Sequence, residues 1–418
     1  MELTEKEKCT GCGACYSACP EGCITMRADK EGFLFPEISR DKCTDCGSCL
    51  SSCPVENKDF VPISGYPECF LARDKDVKVR KAGASGGVFT SVAAEFIKKH
   101  NGVVFGAAYD KNFIVRHTYT ENFADAGIFS KSKYVQSDIG DTFRQVKEFL
   151  LKDRYVLFSG TPCQIYGLKG YLKEDYENLY CIDVVCHGVP SPKVFAEYLK
   201  YQEKVFKSGL KKVSVREKQV YRDFYRAGFG LEFDNGKRYF EVSDQDPMGK
   251  IYFGEICSRH TCYDCPFKTV WRVSDLTIGD CWFSRELAGV ADPDGITLVL
   301  IQSEKGLSLI EESESLEYYK VDPESAIKAN GGKIYSSVKP HKNRDIFFTE
   351  LEETDFISLV NKYFPEKKSF SQKLMSNIKD KALIPKSMVE EKNRKRFEER
   401  LKWEIPEEAK GRAQINGQ

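Results

Sequence analysis

Nine cysteines fall in the first 53 residues, and eight of them form two copies of one spacing. Cys9-x2-Cys12-x2-Cys15-x3-Cys19-Pro20 returns as Cys43-x2-Cys46-x2-Cys49-x3-Cys53-Pro54, an internal repeat of about 34 residues. Three thiolates two residues apart wrap a short loop around one face of an iron–sulfur cubane. The fourth ligand then comes from elsewhere, and the x3-Cys-Pro ending supplies it to the other cluster. The expected sets are Cys9, Cys12, Cys15 and Cys53 for one 4Fe–4S cluster, and Cys43, Cys46, Cys49 and Cys19 for a second. The alternative is a pair of zinc sites, since Cys-x2-Cys is also zinc-ribbon spacing, although zinc seldom takes four cysteines packed this closely. Cys23 is surplus to both sets and reads as a small buried hydrophobe. The chemistry on offer is one-electron transfer at low potential.

Further candidates lie at the ends of segments that read as strands. Ser85-Gly86-Gly87 precedes a helical pattern, where glycines admit a close phosphate and free amides favour an anion; a bare SGG is also a common loop. Ser159-Gly160-Thr161-Pro162-Cys163-Gln164 follows an apolar run, and ligands of open α/β sheets collect at such carboxyl ends. Cys186-His187-Gly188 follows another; His187 is a candidate general acid or flavin neighbour, or a hydrogen-bonded loop residue. Cys262-x2-Cys265 reads as half a zinc site or a redox pair, but the pair's usual place, opening a helix after a strand, is missing. With Cys163 and Cys186 it makes four thiolates from two strand ends and one loop, the number a third cubane needs.

The elements that must carry these residues alternate. Residues 102–110, 154–160 and 179–186 read as buried strands, and 87–99 and 142–152 hold apolar residues at helical spacing. Ser191-Pro192 opens a further helix. Asn235-Gly236 sits between alternating segments as a hairpin turn, and 275–280 and 295–303 are expected strands. The polar stretch after Pro54 reads as a linker. Beyond Pro365 the chain is rich in lysine and glutamate, with a surface helix expected over 390–403 and tail around it. Strand–helix alternation favours an at least partly parallel sheet.

The chain has 418 residues, which suggests two or three domains, and 63 basic residues balance 63 acidic ones. A balanced charge argues against a general nucleic-acid surface. No apolar run reaches the ~18 residues of a membrane span, and the opening MELTEKEK is not a signal peptide. Seventeen cysteines in such a chain point to metal or redox groups in a cytoplasmic protein rather than to disulfides.

The N-terminal spacing resembles a bacterial two-cluster ferredoxin domain. SGG at 85–87, SKYVQS at 132–137, SGTPCQI at 159–165, CHGVPSP at 186–192, CYDCPFK at 262–268 and SDLTIGD at 274–280 together resemble the coenzyme F420 hydrogenase/dehydrogenase beta-subunit family. The implied fold is α+β / α/β. A small ferredoxin domain (1–60) precedes a mixed α/β domain (66–348) that binds flavin and a cluster, and a charged, partly helical tail covers 365–418. The resemblance implies FAD, a third 4Fe–4S cluster on Cys163, Cys186, Cys262 and Cys265, and flavin contacts from Ser85, Gly86, Gly87, Lys133, Tyr134 and Thr161. It implies an iron–sulfur flavoprotein oxidoreductase exchanging hydride with a deazaflavin or other small organic substrate. Its partner would be a redox protein such as ferredoxin or another oxidoreductase subunit; the rivals are a non-enzymatic relay subunit and an iron–sulfur sensor. Two departures, Cys281-Trp282-Phe283 and Arg216-Glu217-Lys218 with Val220-Tyr221, put coenzyme F420 itself in question as the partner.

Overall fold

The computed structural model describes residues 3–221, 224–365 and 386–415. At the N-terminus, strands β1 (Ile24–Ala28) and β2 (Leu34–Ile38) pair antiparallel, flanked by the short helices Ala14–Ala18 and Ser48–Ser51. Little apolar side chain is available there: Ile24 packs with Cys23 and Cys49 in a core built largely of cysteine. This module is fastened to the rest of the chain by Arg259, which is 1% exposed. Its guanidinium donates to the carbonyls of Cys9 (2.7 Å) and Leu34 (3.1 Å) and to Gln136 Oε1 (3.0 Å), and it lies 4.1 Å over the Phe35 ring.

The larger domain is built on eight strands in the order β14 (Leu316–Val321), β4 (Cys69–Asp74), β13 (Thr297–Ile301), β12 (Leu276–Asp280), β8 (Leu179–Val184), β7 (Val156–Gly160), β5 (Val103–Tyr109) and β6 (Val115–Thr120). The central four, β12, β8, β7 and β5, run parallel, and the flanking pairs are antiparallel. Such strands bury both faces, which is why they read as continuous apolar runs. Their period of two still sorts the side chains. Leu157 and Val104 join Phe96 and Val299 on one face, while Val156, Phe158 and Phe105 join Phe143 and Ile165 on the other.

A second sheet, β9 (Leu210–Tyr221), β10 (Phe224–Phe233) and β11 (Arg238–Val242), contains the Asn235-Gly236 hairpin, with Gly236 at φ 80°. It packs Val213, Val215, Phe229 and Leu231 against helix Pro192–Phe206.

Two expectations are corrected. The stretch read as a linker contains strand β3 (Lys58–Pro62), and the stretch read as tail contains β15 (Gly411–Ile415); the two pair antiparallel. Each is a short strand whose partner lies some three hundred and fifty residues away, so local periodicity carries no trace of the pairing. The C-terminal helix covers Lys386–Leu401. Residues 366–385, part of the expected tail, lie outside the described residues.

Candidate functional site

The N-terminal thiols stand in two groups. Cys9, Cys12, Cys15 and Cys53 line one small cavity, and Cys43, Cys46, Cys49 and Cys19 line another. Burial pushes the Cys12 thiol up to about 12, with Cys53 and Cys9 adding to the effect, and burial raises Cys15 and Cys53 as well. Four such sulfurs cannot all be thiolates in a buried pocket unless a cationic core neutralises them, the donor chemistry an iron–sulfur core satisfies. Among the described residues no three His, Cys, Asp or Glu side chains close on a single metal-ion position; the sulfurs stand around a cavity instead. Cys46 is exposed, so the second group borders solvent. Cys23 is buried on the wall of that second cavity, its Sγ 3.3 Å from that of Cys19.

A third group forms in the α/β domain. Cys163 is raised by burial and then by the neighbouring Cys265, Cys186 and Cys262; Cys262, pushed up to about 12, feels Cys186 and Cys265. The sequence positions these thiols by local rules. Thr161 caps helix Pro162–Leu172 in a capping box with Gln164, which puts Cys163 in the first turn above β7. Cys186 follows β8 on the adjacent parallel strand. Cys257 is instead sealed in an apolar core with Met248 and Phe347. Cys69, Cys181 and Cys281 pack into other apolar clusters.

Beside this group lies a cavity of about 880 Å³, and Cys186 is part of its wall, a size suited to a dinucleotide-scale ligand. One side is the N-terminus of helix Val88–His100, whose N-cap Gly87 holds φ 84°, a backbone only glycine adopts without strain. The first-turn amides there have no helical acceptors and favour an anion. Ser85 and Gly86 contribute differently from the expectation: the Ser85 hydroxyl donates to the Ile296 carbonyl (2.7 Å) and the Gly86 amide to Thr297 Oγ1 (2.9 Å). Their donors hold the loop in shape. Lys218 tightens it further, its ammonium donating to the carbonyls of Arg80 and Ser85, both at 2.7 Å.

Lys133 is buried in the same wall, but its ammonium donates to the carbonyls of Ser130 (2.9 Å), Lys131 (3.2 Å) and Ile128 (3.3 Å). All three of its protons are thereby engaged within the protein, which spacing alone does not reveal. Tyr134 joins Tyr252 (4.9 Å between rings) and Phe253 (5.8 Å) in an aromatic wall. His187 stands against the same two rings, its Nε2 2.6 Å from Glu255 Oε1. Thr161 lines the cavity and reaches Cys163, Oγ1 to Sγ 3.2 Å, so it touches both cavity and thiol group.

Two further wall residues carry little or no signal in the sequence pattern. His117 is buried and stacks on Phe158; its Nε2 lies 3.0 Å from the Ser159 carbonyl, which can only accept, so Nε2 carries the hydrogen. Its Nδ1 is then a buried lone pair without a partner. Burial drives this imidazole down to about 4 and keeps it neutral. Arg216, at φ 63°, reaches the cavity from a bulged part of β9 and pairs with Asp280 at 2.7 Å. Its only trace in the sequence is the unusual Arg216-Glu217-Lys218 run.

Residues 8–57 match the 4Fe-4S dicluster domain, and residues 153–327 match the family described as the C terminus of the coenzyme F420 hydrogenase/dehydrogenase beta subunit. The chain is 27% identical over 316 residues to the coenzyme F420-dependent sulfite reductase of Methanocaldococcus jannaschii. That alignment takes in 73% of this chain but 46% of the relative, so this chain spans under half of that protein's length. A chain of the F420-reducing [NiFe] hydrogenase complex of Methanosarcina barkeri is similar at 16% identity and TM-score 0.43, over 73% of this chain and 93% of that one. Among the described residues no helix is long and apolar enough to cross a membrane.

Proposed function

We propose, for a chain whose residues 153–327 belong to the coenzyme F420 hydrogenase/dehydrogenase beta-subunit family, in its C-terminal part, and whose residues 8–57 form a 4Fe-4S dicluster domain, an iron–sulfur flavoprotein oxidoreductase. Three 4Fe–4S clusters, on Cys9, Cys12, Cys15 and Cys53, on Cys43, Cys46, Cys49 and Cys19, and on Cys163, Cys186, Cys262 and Cys265, lead to FAD in the large cavity. The observation that carries this reading is that Cys186 belongs both to the third thiol group and to the cavity wall. Bound FAD would supply the exchange between hydride and single electrons.

The chain's own residues do the rest. The amides after Gly87 would hold a pyrophosphate, the aromatic wall of Tyr134 and Tyr252 would pack against a ring system, and the bare His117 Nδ1 would accept a hydrogen bond from a ligand N–H or O–H. His187, oriented by Glu255, would hold a proton at the cavity wall. The order of the groups supports a path inward. Cys46 faces solvent, Cys12 packs on Gly167, and Cys163 lies one turn before Gly167 on the same helix, about 6 Å along its axis. A redox protein such as ferredoxin would exchange electrons at the Cys46 end, and a deazaflavin or other small organic molecule at the cavity.

The test is to prepare the protein anaerobically, release and identify its cofactor, and reduce it with dithionite. FAD that bleaches with the clusters and is reoxidised by a small organic acceptor supports the reading; protein that cannot be loaded with FAD overturns it. One observation favours a second reading. The alignment takes in under half of the relative, so a catalytic function housed in the remainder of that protein has no counterpart among these residues. FAD-loaded protein reactive only with other redox proteins would then mark a relay subunit.

A further inference from the structure

The C-terminal helix Lys386–Leu401 lies beyond the region matched to either family, and one of its side chains lines the large cavity. We infer that Arg396 is a specificity-determining residue, holding an oxyanion carried by the organic substrate at the open end of that cavity. This rests on the proposed oxidoreductase reading.

Arg396, Trp282, Asn330 and Lys333 line the cavity with Arg216 and Asp280. They form one neighbourhood: Arg216 pairs with Asp280 at 2.7 Å and stands 5.7 Å from the Trp282 ring, and Asn330 Nδ2 donates to the Asp280 carbonyl at 3.2 Å. Asp280 is thus engaged by Arg216. Among the described residues, no carboxylate lies within ion-pair distance of Lys333 or Arg396. Arg400, which feels the charge of Arg396, adds a third cation to the same region; Lys333 feels Arg216 and Arg400 there, offset by the carboxylates of Asp280 and Glu255. Like charges gathered at a cavity wall repel, and an anion placed among them removes that repulsion.

A second observation points to a ligand independently. Asn330 is 6% exposed, and its Oδ1 is buried without a hydrogen-bond partner. An unpaired buried acceptor is costly, and a ligand N–H or O–H at this end would satisfy it. The helix is not loosely placed. Phe397 packs on Phe283 with rings 5.6 Å apart, the Arg400 guanidinium lies 4.9 Å from the same ring and donates to the Ala329 carbonyl, and Arg285 pairs with Glu390. Fixed on both sides of Arg396, the helix presents that one guanidinium to the cavity, in a form suited to bidentate capture of an oxyanion.

The test uses FAD- and cluster-loaded full-length protein, reduced with dithionite, and two exogenous acceptors that differ only in a phosphate, FMN and riboflavin. The expected result is a lower KM for FMN than for riboflavin in the wild type. Arg396→Gln should raise the FMN KM about fivefold to tenfold, leaving kcat and the riboflavin KM in place. Arg396→Lys should recover part of the preference, and added salt should erode it in the wild type but not in Arg396→Gln. Equal KM values for the two acceptors in the wild type, or an FMN preference that survives Arg396→Gln, would overturn the inference. Protein that takes up no FAD, or reduces neither acceptor, would instead count against the oxidoreductase reading.

Discussion

In the Cys12 and Cys163 groups burial makes the charged sulfurs tolerable only around a cation, while the Cys46 group borders solvent. If each group holds its own cluster, removing one sulfur should cost that cluster and spare the others. Cys262→Ala is expected to lose about a third of roughly twelve irons per chain while the N-terminal signals persist. Unchanged iron in that variant, with a loss in Cys257→Ala, would show that the third set is misassigned. His117 makes a pH-dependent contribution of definite sign. Its folded pKa, about 4, lies below the ordinary histidine value near 6.5. Burial as the neutral ring therefore contributes stability in full above pH ~6.5, and this is lost as pH falls toward 4. Between pH 7 and pH 5 the loss is on the order of 2 kcal/mol. Thermal melts over that range should show a steeper fall in the wild type than in His117→Asn; parallel curves would refute the assignment. At this scale the cysteine groups were legible because metal ligands follow spacing rules. The Lys133 ammonium was not, because only the fold reveals that three carbonyls consume its protons.

Elements set how close the groups approach. A Cβ at Gly167 would lie 2.8 Å from Cys12 Cβ and 2.9 Å from its Sγ, so only glycine lets the N-terminal module press against helix Pro162–Leu172. Gly167→Val should keep its iron but push the module outward. The magnetic interaction between reduced clusters, read as broadening in the EPR spectrum, should then weaken; an unaltered spectrum would contradict the contact. Arg259 holds the same junction. Arg259→Met leaves three acceptors without their donor and should lower stability by ~3 kcal/mol, with the N-terminal module becoming the first site of protease cleavage. Resistance to cleavage equal to the wild type would contradict this role. The parallel strands and their helices were legible in apolar runs and caps such as Thr161 and Ser191. Strands β3 and β15 were not, since each is completed only by the other, and Ala413 is held from a third place by the Tyr166 hydroxyl.

Across the whole molecule, the exposed Cys46 end, the Cys12–Gly167 contact, the Cys163 group and the cavity follow one another from solvent to interior. A relay requires that order, since each cluster passes single electrons only to a near neighbour. The cysteine spacing marks the two N-terminal groups, but not the order of the groups, because that depends on how the ferredoxin-like module docks. The central claim is that electrons entering at the N-terminal module reach the cavity through the third cysteine group. The direct measurement is rapid anaerobic mixing of FAD- and cluster-loaded protein with a limiting amount of reduced ferredoxin, following cluster and flavin absorbance together. In the wild type the flavin band should bleach as the N-terminal clusters reoxidise. In Cys262→Ala the N-terminal clusters should still be reduced while flavin bleaching slows by about two orders of magnitude or stops. Flavin bleaching at the wild-type rate in Cys262→Ala would contradict the account.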